Sequence, residues 1–293
     1  QGSCRSPALG GGTHGREQGT STMSHSVVWD GGSDDEGDPD MTQDGVYLIL
    51  GRGPVQTTVH DARRVPDLSL ERNGFELFRG EYSGLALEEF YCSEQVASRY
   101  YAELSATMKR HLGCSEAVCY MHVVRNKDRA EDYVARVHTD HSMDQGLQIV
   151  RDVLGEGRAA EAAAGTVRFQ IVNAWRSIGA EPVQRDPLAL LDTSSVEPGD
   201  VSSIRLMIKP EASASARWFY YPRMTPDELL VFKQYDSSGD LSHLCFHTSF
   251  DPRHVPDGAP TRESIEARLV LVFDEAGTKV ENCGPSCQDV HGT

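Results

Sequence analysis

Helical periodicity and strand alternation occupy different parts of this chain, and that order limits the architectures open to it. Tyr100, Leu104, Met108 and Leu112 fall on one face of a helix, within a stretch read as helical over 86–112 and stopped by Gly113. Met143, Leu147, Val150 and Leu154 form a second stripe, closed by Gly155. From about residue 166 the pattern changes to alternation, first in Val167–Trp175 and then at 187–191, 203–209, 217–221, 228–235 and 264–273. Two earlier apolar runs, 46–50 and 117–124, also read as strands, and no internal repeat divides the chain. Helices early and strands late do not make βαβ units. The expectation is an α+β protein with antiparallel strands, built as a double-stranded β-helix (a cupin-like jelly roll) with flanking helices.

The ends are poor in residues to bury. Residues 1–44 are rich in Gly, Ser, Thr and Asp, with seven acidic and no basic residues from Asp30 to Asp44, and are expected to be a disordered tail. A single domain is expected over 45–275, followed by a flexible tail at 276–293. The formal net charge of −16 argues against nucleic acid, whose backbone calls for a Lys/Arg face. No apolar run is long enough to cross a bilayer, and the opening Gln1-Gly2-Ser3-Cys4 does not read as a secretory leader. The expected location is therefore cytoplasmic, with the seven scattered cysteines reduced. Cys283 and Cys287 have no two further ligands at zinc spacing.

The chemistry-bearing segment is Val137-His138-Thr139-Asp140-His141-Ser142. On a strand alternate residues share a face, so a strand here sets the His138 imidazole beside the Asp140 carboxylate. One more histidine would complete a 2-His-1-carboxylate facial triad, which leaves coordination positions on iron open. His247 is the candidate, 109 residues downstream (247 − 138), although His141, His243 and His254 compete and isolated His-x-Asp pairs are common by chance. Arg262-Glu263-Ser264 begins the strand after His247. Iron oxygenases commonly use 2-oxoglutarate, whose far carboxylate suits the planar fork of an arginine. Arg262 is the candidate anchor, with Ser264 on the same strand face as an added hydrogen bond. Arg268 on that face is the rival anchor, and the plain alternative is that one of these arginines pairs with Glu266 or another acid.

Several segments in order carry a family resemblance: Val59–Arg63, Leu70–Leu77, Val137–Ser142, Asn173-Ala174-Trp175-Arg176, Asp186–Asp192, Tyr220–Leu229, Phe232–Ser237, His247–Phe250 and Arg262–Glu266. Over about 46–275 they resemble the fungal and bacterial hydroxylase/desaturases that include AsaB-like enzymes, gibberellin desaturase and the protein of cephamycin 7α-methoxylation. The resemblance implies Fe(II), 2-oxoglutarate and O₂, used to hydroxylate or desaturate a secondary-metabolite intermediate. It also implies His138, Asp140 and His247 as metal ligands, and Arg262, Ser264, Asn173 and Arg268 on the co-substrate. Trp175, Arg176, Tyr221 and Tyr235 fall on the substrate side, against a plain reading of core aromatics and a structural ion pair. The expected partner is a small natural product, with neither nucleic acid nor membrane, and a homodimer is allowed. Two rival readings remain: a metal-dependent hydrolase or isomerase on a cupin-like barrel, and a non-catalytic binding member of the fold.

Overall fold

The computed structural model describes residues 39–50, 53–80, 82, 84–202, 207–208, 215–239 and 243–274. The expected tails up to residue 38 and beyond 274, and most of the strand expected at 203–209, lie outside the described residues. The described strands are β1 (Gln43–Leu50), β2 (Gly53–Asp61), β3 (Phe75–Arg79), β4 (Glu116–Arg125), β5 (Arg168–Ser177), β6 (Leu188–Leu191), β7 (Val201–Ser202), β8 (Met207–Ile208), β9 (Trp218–Tyr220), β10 (Glu228–Asp236), β11 (His247–Ser249) and β12 (Ser264–Phe273).

They form two five-stranded sheets, ordered β1-β2-β9-β6-β11 and β3-β10-β5-β12-β4, with β7 and β8 as a separate pair. Every pairing in the second sheet is antiparallel, and in the first only β2 and β9 run parallel. The α+β expectation with antiparallel pairing holds at this level. Strands do not wait for the second half, however: β1, β2 and β3 precede the long helices. β2 and β3 went unread because their apolar positions are broken by Gln, Thr and Glu, as suits strands with partly exposed faces. The span 86–112 is not one helix. Short turns at Leu87–Phe90 and Ser93–Gln95 and a π-helical turn at Val96–Tyr100 lead into the helix Tyr101–Leu112.

Period-two alternation sorts the second sheet into two faces. Val172, Ala174, Leu229, Val231, Ile265, Ala267, Leu269 and Leu271 pack against Tyr100, Leu104 and Met108, so the helix Tyr101–Leu112 covers the outer face. On the inner face Trp175, Leu230 and Phe232 meet Leu188, Leu190 and Phe219 of the first sheet. Farther along, Phe169, Ile171, Tyr235, Val270 and Val272 meet Val150 and Leu147 of the helix Met143–Leu154. Between these two apolar clusters the inner face carries Asn173, Glu266 and Arg268 instead of hydrocarbon. Two of the three are nearly fully buried, at 0% for Asn173 and 5% for Glu266. Buried polar groups cost free energy unless bonded, so this interruption marks the place to look for chemistry.

Candidate metal centre and co-substrate pocket

Between β4 and the helix Met143–Leu154 the chain passes in extended form through Val134–Asp140. It is not a regular strand, as the sequence suggested, but an extended segment bonded on both sides. Val137 N donates to Ile49 O of β1 at 2.9 Å, and Ser249 N of β11 donates to Val134 O at 2.9 Å. His138 and His247 form an antiparallel bridge. The first sheet thus curls until both its edge strands, β1 and β11, bond the same segment. That curl brings His247 alongside His138, while Asp140 follows at a bend.

Ligand atoms of His138, Asp140 and His247 all lie within 4.8 Å of one another, a spacing that could hold one metal ion. His138 Nε2 stands 3.8 Å from Asp140 Oδ1, and the two imidazole centroids are 4.3 Å apart. Each ring is fixed in the same way. His138 Nδ1 bonds Arg136 O at 2.7 Å, and His247 Nδ1 bonds Cys245 O at 3.2 Å, each to the carbonyl two residues earlier. A carbonyl only accepts, so both Nδ1 atoms carry the proton and both Nε2 lone pairs are free for a metal. Burial, with His138 beside it, pushes the His247 imidazole down to about 3, so it stays neutral as a ligand must. The side chain of His138 is 28% exposed and that of Asp140 only 8%, so the open side of the centre lies at His138.

Asp140 is held by three partners. Asn173 Nδ2 donates to Oδ2 at 2.5 Å, Arg268 Nη2 lies 2.8 Å from Oδ1, and the Asp140 amide donates to Gln234 Oε1 at 2.8 Å. Burial would raise its carboxyl, but its neighbours, the Arg268 charge and the Asn173 bond among them, outweigh that and hold it below the usual range. Arg268 also lies 3.3 Å from Glu266 Oε1. One guanidinium cannot fully compensate two buried carboxylates. Burial first, and the Asp140 charge second, push Glu266 up to about 7.

Arg262 differs from Arg268. It is 4% exposed, stacked 4.0 Å above the Tyr133 ring, with Trp175 at 5.6 Å. It donates to the backbone oxygen of Asp186 and, at 3.5 Å, to Ser249 Oγ, while its Nε has no partner among the described residues. No carboxylate among the described residues bonds it. Burial lowers it to about 10, so it remains charged at neutral pH. Arg262 lines one narrow pocket together with His138, His247, Trp175, Ser249, Arg125 and Glu266. Ser264, two residues on, is fully buried, its hydroxyl without a partner among the described residues. Of the competing histidines, His141 turns to Tyr120 OH at 3.3 Å, and His254 lines a separate cavity with Met41 and Tyr220.

The remaining sequence candidates separate. Trp175 walls the pocket. Arg176 lies on the opposite face of β5, its guanidinium carbon 5.5–5.8 Å from the rings of Tyr82, Phe90 and Tyr100. Strand alternation forbids adjacent residues to share a face, so Arg176 does not join Trp175 on the substrate side, and it forms no structural ion pair with a described residue. Tyr221 packs edge-on against Phe75 at 6.4 Å in the apolar core, and Tyr235 sits under the helix Met143–Leu154 against Gly146. Sequence reasoning assigned no role to Gln234, Tyr133 or Arg125. Gln234 lay within the family-like stretch Phe232–Ser237, but nothing in its spacing marks it.

A family model described as the oxidoreductase/YMDC permease-like domain matches residues 35–273. The chain belongs to that family. Among curated relatives, the α-ketoglutarate-dependent dioxygenase phiK of a fungal species is 29% identical over 234 residues, covering 72% of this chain and 81% of the relative. The Fe(II)/2-oxoglutarate-dependent dioxygenase nvfI of Aspergillus novofumigatus is 27% identical, covering 75% and 84%. The hydroxylase/desaturase asaB of Aspergillus flavus is 35% identical over 132 residues, 37% of this chain and 57% of its own. The AsaB-type resemblance read from the sequence is therefore borne out. Among solved structures, the iron and α-ketoglutarate-dependent endoperoxidase NvfI superposes with a TM-score of 0.67 at 24% identity, covering 80% of this chain and 97% of that one, which establishes a shared fold. No described helix is long and apolar enough to cross a membrane.

Proposed function

We infer that this protein is an Fe(II)- and 2-oxoglutarate-dependent dioxygenase that hydroxylates or desaturates a small secondary-metabolite intermediate. The observation that carries the reading is the shared pocket. It is lined both by two imidazoles whose Nδ1 atoms are bonded to carbonyls and by a buried, charged guanidinium without a carboxylate partner among the described residues. The donor set fits iron(II), two nitrogens and one carboxylate oxygen on one face. The guanidinium fits the far carboxylate of a keto acid, since a buried arginine gains most from a bidentate anion. The relatives named as dioxygenases of this cofactor class support the same assignment. The fold reading that accompanies it is a jelly roll, supported by two facing sheets, the curl of the first, and the likeness to NvfI.

Iron(II) with 2-oxoglutarate supplies the activation of O₂ that oxidises a C–H bond while the keto acid loses CO₂ and becomes succinate. The protein's part is placement. His138, Asp140 and His247 hold the metal, and the Nδ1 bonds to Arg136 O and Cys245 O keep each ring in the tautomer that presents Nε2. Asn173 and Arg268 hold the Asp140 carboxylate in place and keep it ionised, which assigns them to the metal ligand more than to the co-substrate. Arg262 anchors the far carboxylate, with the Ser264 hydroxyl as a second donor. Trp175 walls the pocket and Tyr133 covers the Arg262 guanidinium, and excluding water strengthens each charged contact there.

The test is anaerobic. Adding iron(II) and 2-oxoglutarate should produce a visible metal-to-ligand charge-transfer band. Metal-loaded protein that shows no band with 2-oxoglutarate would overturn the assignment and leave the metal to hydrolytic or isomerase chemistry.

A further inference from the structure

We propose that Gln234 is the positioning residue that couples the two metal-ligand segments of this protein, an assignment that rests on the metal reading above. Gln234 lies in β10 and is fully buried. The register of β10 on β5 shifts there: Lys233 faces Val172 and Tyr235 faces Ile171, so Gln234 is the extra residue of a bulge, with no partner in β5. A bulge turns a side chain out of the regular alternation, and such devices recur beside functional sites. Here it turns the Gln234 amide toward the ligand-bearing segments.

Both N–H donors of the amide are used, and its oxygen accepts one bond. Oε1 accepts from the Asp140 backbone N–H at 2.8 Å. Nε2 donates to Cys245 O and to Lys233 O, both at 3.0 Å. The orientation of the amide is not ambiguous. A backbone N–H can only donate and a carbonyl can only accept, so the oxygen must face Asp140 and the nitrogen must face Cys245. Cys245 O is also the acceptor that fixes His247 Nδ1. One side chain therefore sets the position of the Asp140 backbone and of the carbonyl that orients His247, and these segments are far apart in sequence. Cys245 N also bonds Lys233 O at 2.9 Å, so the bulge and the approach to β11 form one unit.

Two variants separate the arms. Gln234→Met keeps the length and loses every bond. Gln234→Glu keeps an acceptor for Asp140 N–H but sets an oxygen against Cys245 O and Lys233 O. Fe(II) affinity is measured anaerobically by competition with a chelating dye, and the Co(II)-loaded protein supplies a d–d spectrum. Gln234→Met should weaken Fe(II) binding by about 10- to 100-fold, the usual effect of losing a partner that orients metal ligands. Gln234→Glu should lie between it and the wild type, and both should shift the Co(II) bands. Should Gln234→Met not fold, Gln234→Glu carries the test. If both variants melt earlier yet bind Fe(II) as the wild type does, with unchanged Co(II) spectra, the bulge is only structural and the proposal is overturned. If the wild type binds no Fe(II), the metal reading itself fails and the Gln234 assignment falls with it.

Discussion

His138 and His247 exchange both backbone hydrogen bonds, the amide of His138 donating to His247 O at 3.1 Å and the amide of His247 to His138 O at 3.0 Å. Their rings are thereby set by main-chain pairing, not by side-chain packing alone. Replacing either ring should leave this bridge intact and remove a ligand. His138→Ala, at a partly exposed position, should keep its melting temperature within a few degrees and bind no iron(II). His247→Ala should also lose iron and in addition lose about 1–3 kcal/mol, because its ring is buried against Phe232 at 4.6 Å. Metal analysis after reconstitution, with thermal melts, checks both. Full iron occupancy in either variant would show that the replaced histidine is not a ligand.

The two arginines of β12 and its approach should separate by phenotype. Arg262→Ala should weaken 2-oxoglutarate binding by about 10- to 100-fold, the size of a lost pair of charge-assisted bonds, with iron affinity little changed. Arg262→Lys should recover only part of it, since a point charge lacks the planar fork. Arg268→Ala should act on iron, because Arg268 lies on Asp140 and Glu266. Titrating both ligands against both variants decides the matter, and the opposite ranking would exchange the two roles.

Acid stability should depend on a buried network beneath β10. Asp236 pairs with Lys233 at 3.0 Å and Arg168 at 2.6 Å, and Lys233 and Asp236 are each about 1% exposed. Burial alone would raise the Asp236 carboxyl, but the Arg168 bond and the two cations hold it well below its ordinary value of 3.8. A depressed carboxylate stabilises the fold above its unfolded pKa and loses that contribution as pH falls through the folded one. Stability should therefore fall steeply below about pH 4. Asp236→Asn should cost about 3–5 kcal/mol at neutral pH, leaving Lys233 among the described residues with Glu71 at 3.6 Å, and should flatten the acid limb. Urea unfolding across pH 2–8 measures both.

Gly146→Ala offers a sign test. In an exposed helix the change would stabilise by about 1 kcal/mol. Here the new methyl would overlap the Tyr235 ring. The expected result is a net loss of about 1–3 kcal/mol, the usual range for overpacking. Much of it should be recovered in the Tyr235→Ala background, as a double-mutant cycle would show. A stabilised Gly146→Ala would mean that the helix Met143–Leu154 does not press on Tyr235.

Read alone, the sequence determined what depends on local periodicity. The helix Tyr101–Leu112, the strands β5, β10 and β12, and the His138–Asp140 pair were legible because side-chain direction repeats every 3.6 or 2 residues. The sequence reading overextended where the repeat broke. It joined the π turn at Val96–Tyr100 to a longer helix and put Arg176 on the same side as Trp175, although adjacent strand residues face apart. Only the tertiary structure decided how His247 reaches His138, because the curl of the first sheet is made by hydrogen bonds between segments far apart in the chain. The same holds for the two arginines. Arg268 is occupied by Asp140 and Glu266, whereas Arg262 is buried without an anion among the described residues, and which charges meet is settled by packing, not by spacing. Gln234 is the extreme case: an ordinary residue type at no special interval, placed at the centre by one bulge in β10.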